Sequence, residues 1–386
     1  MDDEAPGKNV ATDDALFGKR ATVGVLRVNR DLFRQSSLGF IFTDRQLEGR
    51  FNRVGGLDGR LKFSPNWTFE FQGLASRTRT EEEEEESLAG PAYHARLERS
   101  GRSFDYSLTY DDFSPGFQTD LGFVRRVDLR EIRQFAVYRF WPEGNHLIAW
   151  GPRLFLRRNW DHSGTPQDWT TSPGFVFDLR RRTSLEVQFR HTGELFENIR
   201  FSKRRFRLEV FSAWIPQAEI SLDYEQGTEV NFNPPEGSDP FLGSFTNVDL
   251  RATLLPVTPL RIENTYLFTA LKQRGTDASV FNDHIIRSKI NYQFSRELSL
   301  RAILQYEATH TNPTLTSLSN EKRLSGDFLI TYLVHPGTAL YVGYTSIVEN
   351  IDPRLIKRND ELLRTGNRFL ESAKQFFVKF SYLYRF

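Results

Sequence analysis

The chain alternates between oil and water. In TSLEVQFRH, Leu185, Val187 and Phe189 fall on one side and Glu186, Gln188 and Arg190 on the other. ELSLRAILQYEAT sets Leu298, Leu300, Ala302, Leu304 and Tyr306 against Ser299, Arg301, Ile303, Gln305 and Glu307. QAEISLDYE sets Ala218, Ile220, Leu222 and Tyr224 against Glu219, Ser221, Asp223 and Glu225, and SFDYSLTY, NVDLRATLL, LRIENTYLF and IIRSKINYQF follow suit. A period of two is the signature of pleated strands with one apolar and one polar face. About nineteen such segments occupy the 386 residues, many of them ten residues or longer. Soluble strands run ~5–6 residues, whereas a tilted strand crossing a bilayer needs ~9–11. No long helical period competes; only 355–375 has the spacing for a short helix.

The connections sort into two classes. Tight turns are expected at SPNW (64–67), RSGRS (99–103), WPEGN (141–145), LRRRT (179–183), WIPQ (214–217), PVTP (256–259), FSRE (294–297) and HPG (335–337). Longer polar stretches lie between them, at 79–90, 112–127, 160–171, 228–243, 272–283, 310–321 and 346–373. Alternating short and long links are the plan of an outer-membrane barrel. Hydrocarbon offers no partner to a backbone amide, so a sheet spans it only by closing. The expected fold is all-β: a transmembrane antiparallel up-and-down β-barrel of about 18–20 strands in the bacterial outer membrane. A soluble sandwich, propeller or solenoid also alternates, but with shorter strands and no two-class turns, and no fixed-length repeat is present.

Composition removes other classes. Lys+Arg is 51 and Asp+Glu 50, so no field of one sign invites nucleic acid. Cysteine is absent, which excludes disulfides and thiolate metal sites. No window approaches ~18 consecutive apolar residues, so no transmembrane helix is expected. The acidic start MDDEAPGKNVATDD has no apolar core of a signal peptide.

Strand parity raises a question about the beginning. If the last strand runs inward from outside, SSLGFIFTD (36–44) runs outward and KRATVGVLRVNR (19–30) inward. About nineteen strands is then the wrong parity for a single-chain barrel, which has an even number. Either 19–30 is not a barrel strand, or an earlier strand lies ahead of it; we favour the second. The layout expected is a loop remnant or disordered N-terminus over 1–18 and an outer-membrane barrel domain over 19–386, with a long external loop at 346–373.

Three features invite a functional reading. The terminal FVKFSYLYRF places Val378, Phe380, Tyr382, Tyr384 and Phe386 on one side, as an assembly signal read by the barrel-assembly machinery would. The run of six Glu at 81–86 suits contact with divalent cations or lipopolysaccharide, or simply a solvated loop. The polar face carries both signs, with Arg190, Arg207, Glu209, Glu219, Asp223, Arg251, Arg261, Glu263, Arg287, Arg301 and Glu307 as expected lumen-lining residues. Arg60, Lys62, Glu70, Asp105, Glu186, Arg205, Glu225, Asp249 and Lys289 belong to the same set. They suit either an aqueous pore or an interior filled by ion pairs, with 346–373 the candidate for an inward-folding constriction. Catalytic motifs are missing: His162, His191, His284 and His310 lie toward the external ends, but no nucleophile elbow, HExxH or phosphate loop accompanies them. No enzyme activity, metal or cofactor is expected.

VGVLRVNRDLFRQSSLGFIFTDR, FNRVGGLDGRLKF, YDDFSPGFQTDLGFVRRVD and the terminal FVKFSYLYRF resemble the C-terminal barrel of a bacterial family of unknown function. Its full-length members carry an N-terminal domain like the family 9 carbohydrate-binding modules. The resemblance implies outer-membrane location in Gram-negative bacteria and no settled activity. It also implies a carbohydrate ligand held by a domain that these residues do not include. The functional readings are therefore a pore or membrane anchor tied to glycan handling, a plugged barrel serving as a partner platform, or a barrel hydrolase.

Overall fold

A computed structural model describes residues 2–3, 17–79, 87–335, 337–358, 361–366 and 369–383. Its strands are β1 Asp2–Asp3, β2 Ala21–Leu32, β3 Ser36–Leu47, β4 Arg50–Lys62, β5 Trp67–Arg79, β6 Leu88–Arg99, β7 Phe104–Phe113, β8 Leu129–Tyr138, β9 Leu147–Trp160, β10 Pro166–Leu179 and β11 Thr183–Phe196. They continue as β12 Ile199–Ile215, β13 Ala218–Val230, β14 Leu242–Val257, β15 Leu260–Gln273, β16 Ser279–Gln293, β17 Leu298–Thr311, β18 Glu321–His335, β19 Thr338–Glu349, β20 Lys357–Arg358, β21 Glu361–Leu362 and β22 Leu370–Tyr382. Of the 22, three (β1, β20, β21) are two residues long, which leaves 19 long strands joined up-and-down in chain order. Among the described residues there is no helix, so the short helix expected within 355–375 is not formed. Phe369 onward has the period-two pattern of the closing strand, and β19 captures it as β22.

Two compact units arise. The first is Met1–Phe140, Gly151–Pro173 and Thr192–Leu195; the second is Trp141–Trp150, Gly174–His191 and Phe196–Phe386. In the first, β2 to β9 form antiparallel ladders between chain neighbours. In the second, β12 to β19 do the same, and β22 completes the run against β19. The segment 19–30 is thus a true strand of the sheet, which settles one branch of the parity question. Beyond β2 the ladder holds only β1, at Asp2↔Thr22 and Asp3↔Ala21. The other edge of β22 carries no ladder among the described residues, and the described sheet is not closed.

Strands of 10 to 17 residues leave less to the links than the sequence suggests. The stretch 160–171 contracts to 161–165, and 272–283 to 274–278, because alternation continues into β10 and β16. Two further links, which alternate in chain order with the tight turns as the long stretches do, are two residues each, 48–49 and 197–198. Glu48 and Gly49 both have positive φ (49° and 83°), as do Glu197 and Asn198 (48° and 64°), the left-handed pair that a tight hairpin matched to strand twist requires. The expected 346–373 loop is flanked by strand on both sides and reduces to 350–369, which itself holds the β20–β21 hairpin.

Apolar side chains are arranged inside out. In the second unit Ile220, Leu250, Ile286, Leu304, Phe328 and Ile330 share one face by register and are exposed. The buried apolar residues are mostly small: Ala21, Ala92, Ala149, Ala270, Ala308 and Ala339, with Val137, Val230, Leu271 and Val280. Aromatics gather at the short-turn ends of this outward face. Trp67 stacks with Phe63 and meets Tyr106 edge-on, Tyr138 packs on Phe104 and Phe140, and Tyr292 packs on Phe294.

Candidate functional site

Register decides which charges share a face. In the second unit Arg207 lies opposite Glu225 and Glu209 opposite Asp223; Asp223 then faces Asp249, Ser221 faces Arg251, and Glu219 faces Thr253. The row continues through Thr253↔Glu263↔Lys289, Arg251↔Thr265↔Arg287, Asn291↔Arg301 and Ile285↔Glu307. Arg261 is on the same face, two residues before Glu263. Every lumen residue expected on β12 to β17 therefore falls on the polar face. Arg190 of β11 reaches it through Glu225, at 3.3 Å.

Most of these charges are paired. Glu225 takes Arg190, Arg205 at 3.0 Å and Arg207 at 3.3 Å. Arg207 Nε donates to Asp223 at 2.9 Å, and Arg207 also pairs with Glu209 at 2.8 Å. Arg205 bridges on to Glu229, which also takes Lys203 Nζ at 2.8 Å. Asp249 holds Arg251 at 2.7 Å, Glu263 holds Arg261 at 2.6 Å and Lys289 at 3.1 Å, and Glu219 takes Arg182 at 3.1 Å. Arg287 and Arg301 differ: both are exposed and carry no ion pair among the described residues.

The first unit has its own charged face, of which the sequence reading found only Arg60, Lys62, Glu70 and Asp105. One row runs Arg60↔Glu70↔Arg96↔Thr109↔Arg133↔Arg157 from β4 to β9. Asp111 takes His94 Nδ1 and Arg133, both at 2.6 Å, while Glu131 takes Arg133 at 3.0 Å and Arg157 at 2.7 Å. Glu131 and Arg133 were missed because LREIRQFAVY carries polar groups at both parities. Ladder partners, not alternation, assign them.

A loop lies on this face. In the 114–128 link, Phe117 is buried (3% exposed) against Val54 and Ala92, with Leu74, Phe113, Val124 and Val127 around it. Asn52, 1% exposed, pins the loop from below. Its amide donates to Gln118 O at 3.0 Å and to Thr78 Oγ1 at 2.7 Å, and its Oδ1 accepts from Asp120 N at 3.0 Å. Ser76 Oγ accepts from Gln118 N at 3.0 Å, and Asp120 pairs with Arg45 at 3.0 Å. Gly90 makes the approach possible, since a Cβ there would stand 2.6 Å from Phe117 N. The stretch 350–366 is fastened instead to its own neighbourhood: Asn350 Nδ2 donates to Asn320 O at 3.2 Å and Thr365 O at 3.1 Å, and Arg364 pairs with Glu321 at 3.1 Å.

His162, His191 and His284 each have partners of their own. His162 is clamped by Asp128 on Nδ1 at 3.0 Å and by Asp112 on Nε2 at 2.9 Å, so both ring nitrogens are engaged. His284 packs on Phe268 and Tyr266 on the outward face, while Asp283 faces the other way, accepting from Thr309 Oγ1 at 2.7 Å. His191 Nε2 lies 2.8 Å from Ser202 Oγ. Among the described residues no group of three or more His, Asp or Glu is placed to hold a metal ion.

On β22, Phe376, Val378, Phe380 and Tyr382 stand exposed on one face, paired to Tyr344, Val342, Leu340 and Thr338. Tyr384, Phe386 and the Glu81–Glu86 run lie outside the described residues.

No family model and no curated protein matches the chain. Among solved structures it is similar to the siderophore receptor PirA of Acinetobacter baumannii (9% identity, TM-score 0.47, covering 85% of this chain and 65% of that one). It is also similar to the ferric yersiniabactin uptake receptor FyuA of Yersinia pestis, at 11% identity and TM-score 0.43 over 94% of this chain and 62% of that one. A third is OmpT, an outer membrane protein of Vibrio cholerae, at 10% identity and TM-score 0.34 over 94% and 99% of the two chains. The chain thus spans less than two thirds of the length of the two receptors.

Proposed function

We propose that this chain is an outer-membrane β-barrel, and that its charged face lines a water-filled interior serving as a narrow passage for small hydrophilic solutes. The observation that carries the reading is the inverted distribution of side chains. Large apolar residues stand exposed on one face of consecutive long strands, and the charges are paired along the other. A 13-residue strand such as β4 is about 43 Å long at roughly 3.3 Å per residue, and about 33 Å tall at a tilt near 40°, enough for a bilayer's hydrocarbon. Water could not tolerate that apolar face, and hydrocarbon could not tolerate the charged one.

A second reading, a membrane anchor with a filled interior, is favoured by the 114–120 segment seated on the charged face. Planar-bilayer recording separates the two. Passage predicts discrete conductance steps that grow when residues 115–120 are deleted; silence from both proteins would leave the anchor. In the passage, Arg287 and Arg301 are two cations without an ion pair among the described residues, and they favour anions. Changing both to Glu should move the reversal potential in a salt gradient toward cation preference.

The exposed Val378, Phe380 and Tyr382 suit presentation of β22 to the assembly machinery by strand pairing. A link to glycans rests on the sequence resemblance alone.

A further inference from the structure

We propose that Arg53, Arg77 and Arg79, on the outward face at the long-loop end of β4 and β5, bind the phosphates of an acylated phosphoglycolipid in the surrounding leaflet. The inference rests on the membrane reading above and names a lipid partner for it.

The ladder sets Arg53 directly opposite Arg77, and Phe51 opposite Arg79. Like charges facing each other across a strand pair destabilise it. The arrangement is therefore best satisfied by an anion between them. Among the described residues one carboxylate pairs with the three: Asp44 of β3 takes Arg53 Nε at 3.0 Å. Arg77 Nε donates to Ser87 Oγ at 2.8 Å, and Arg79 rests 5.5 Å above the Phe51 ring, which also carries Arg53 at 4.6 Å. Among the described residues neither Arg77 nor Arg79 has an ion pair.

All three arginines are exposed, while the residues alternating with them, Asn52, Val54, Ser76 and Thr78, are buried beneath the 114–120 segment. The guanidinium groups cannot be drawn inward, and the aromatic ring holds two of them ready. Immediately along the same face the surface turns apolar, with Phe42, Phe40, Leu57 and Tyr93 exposed. A row of cations bordering an apolar band matches a lipid whose charged headgroup sits directly above its acyl chains. Guanidinium forks suit phosphate in particular, because two parallel N–H donors meet two oxygens.

The test places the purified protein in phosphatidylcholine vesicles containing either bis-phosphorylated lipid A or its dephosphorylated form, with EDTA present so that no divalent cation bridges. Lipid A retained per protein is measured by mass spectrometry after gentle detergent extraction, and folding is followed by heat-modifiable gel migration. The expected result is retention of the phosphorylated form only, lowered about tenfold in R77A/R79A and partly kept in R77K/R79K. Equal retention of both lipids, or undiminished retention by folded R77A/R79A, overturns the inference and leaves the barrel standing. A chain that does not enter vesicles at all overturns both.

Discussion

Asparagine fixes where the links of this sheet rest. Asn52, Asn159, Asn231 and Asn350 are each 1% exposed and each stands at or near a strand end. A carboxamide both donates and accepts, so one side chain ties two pieces of backbone. Asn231 Nδ2 reaches Leu315 O at 2.8 Å, and Asn159 Oδ1 accepts from Asp168 N at 2.7 Å. Replacing Asn52 by Ala removes the hydrogen bonds that hold Gln118 O and Asp120 N, a loss of about 1–3 kcal/mol for the two. Hydrogen exchange should show the amides of 117–120 opening while the strands stay protected. Acid should loosen a different link. The Arg354 guanidinium and its backbone N–H hold the Asp352 carboxyl below the usual carboxylate range. A lowered folded value gives stability that is complete above the ordinary Asp range and is lost as pH falls through the lowered one. Exchange across 350–366 is expected to quicken in that acid window, and Asp352→Asn to remove the dependence. Nothing in the sequence marked these asparagines, because each acts on backbone that is remote along the chain or lacks any side-chain pattern.

At the level of strands, the alternation was legible wherever the two faces differ sharply. β13 and β17 read directly: Glu219, Ser221, Asp223 and Glu225 share a face by register, as do Ser299, Arg301, Gln305 and Glu307. β8 did not, since Arg130 and Gln134 stand on one side and Glu131 and Arg133 on the other. Strand limits were also hidden: Pro166 and Pro173 sit within the bounds of β10, where composition alone suggests a loop. A constriction was expected at 346–373, and nothing in the sequence pointed to 114–120 as lying over the polar face, because its seat depends on Phe117 meeting Val54 and Ala92, far away in sequence. Parity makes a direct prediction. Leu304, exposed at the middle of β17, faces the lipid in our reading, and its neighbour Gln305 faces the interior. Leu304→Arg should destabilise the protein by about 2–4 kcal/mol and Gln305→Arg far less. Guanidinium unfolding in lipid vesicles, followed by Trp fluorescence, measures both.

For the molecule as a whole, the exposed apolar face sets the solvent. Transfer of such a face from water to hydrocarbon is worth roughly 25 cal/mol per Å², so the chain is expected to stay folded in detergent or lipid and to aggregate in plain buffer. A monodisperse, folded species by light scattering without detergent would contradict the membrane reading. The two-residue link between β3 and β4 has a further consequence. With only Glu48 and Gly49 to join them, these strands end almost at the level of Phe51 and Arg53. That stretch of rim is a low parapet: β3 and β4 raise no overhang of their own, and a bulky headgroup standing beside them meets side chains first.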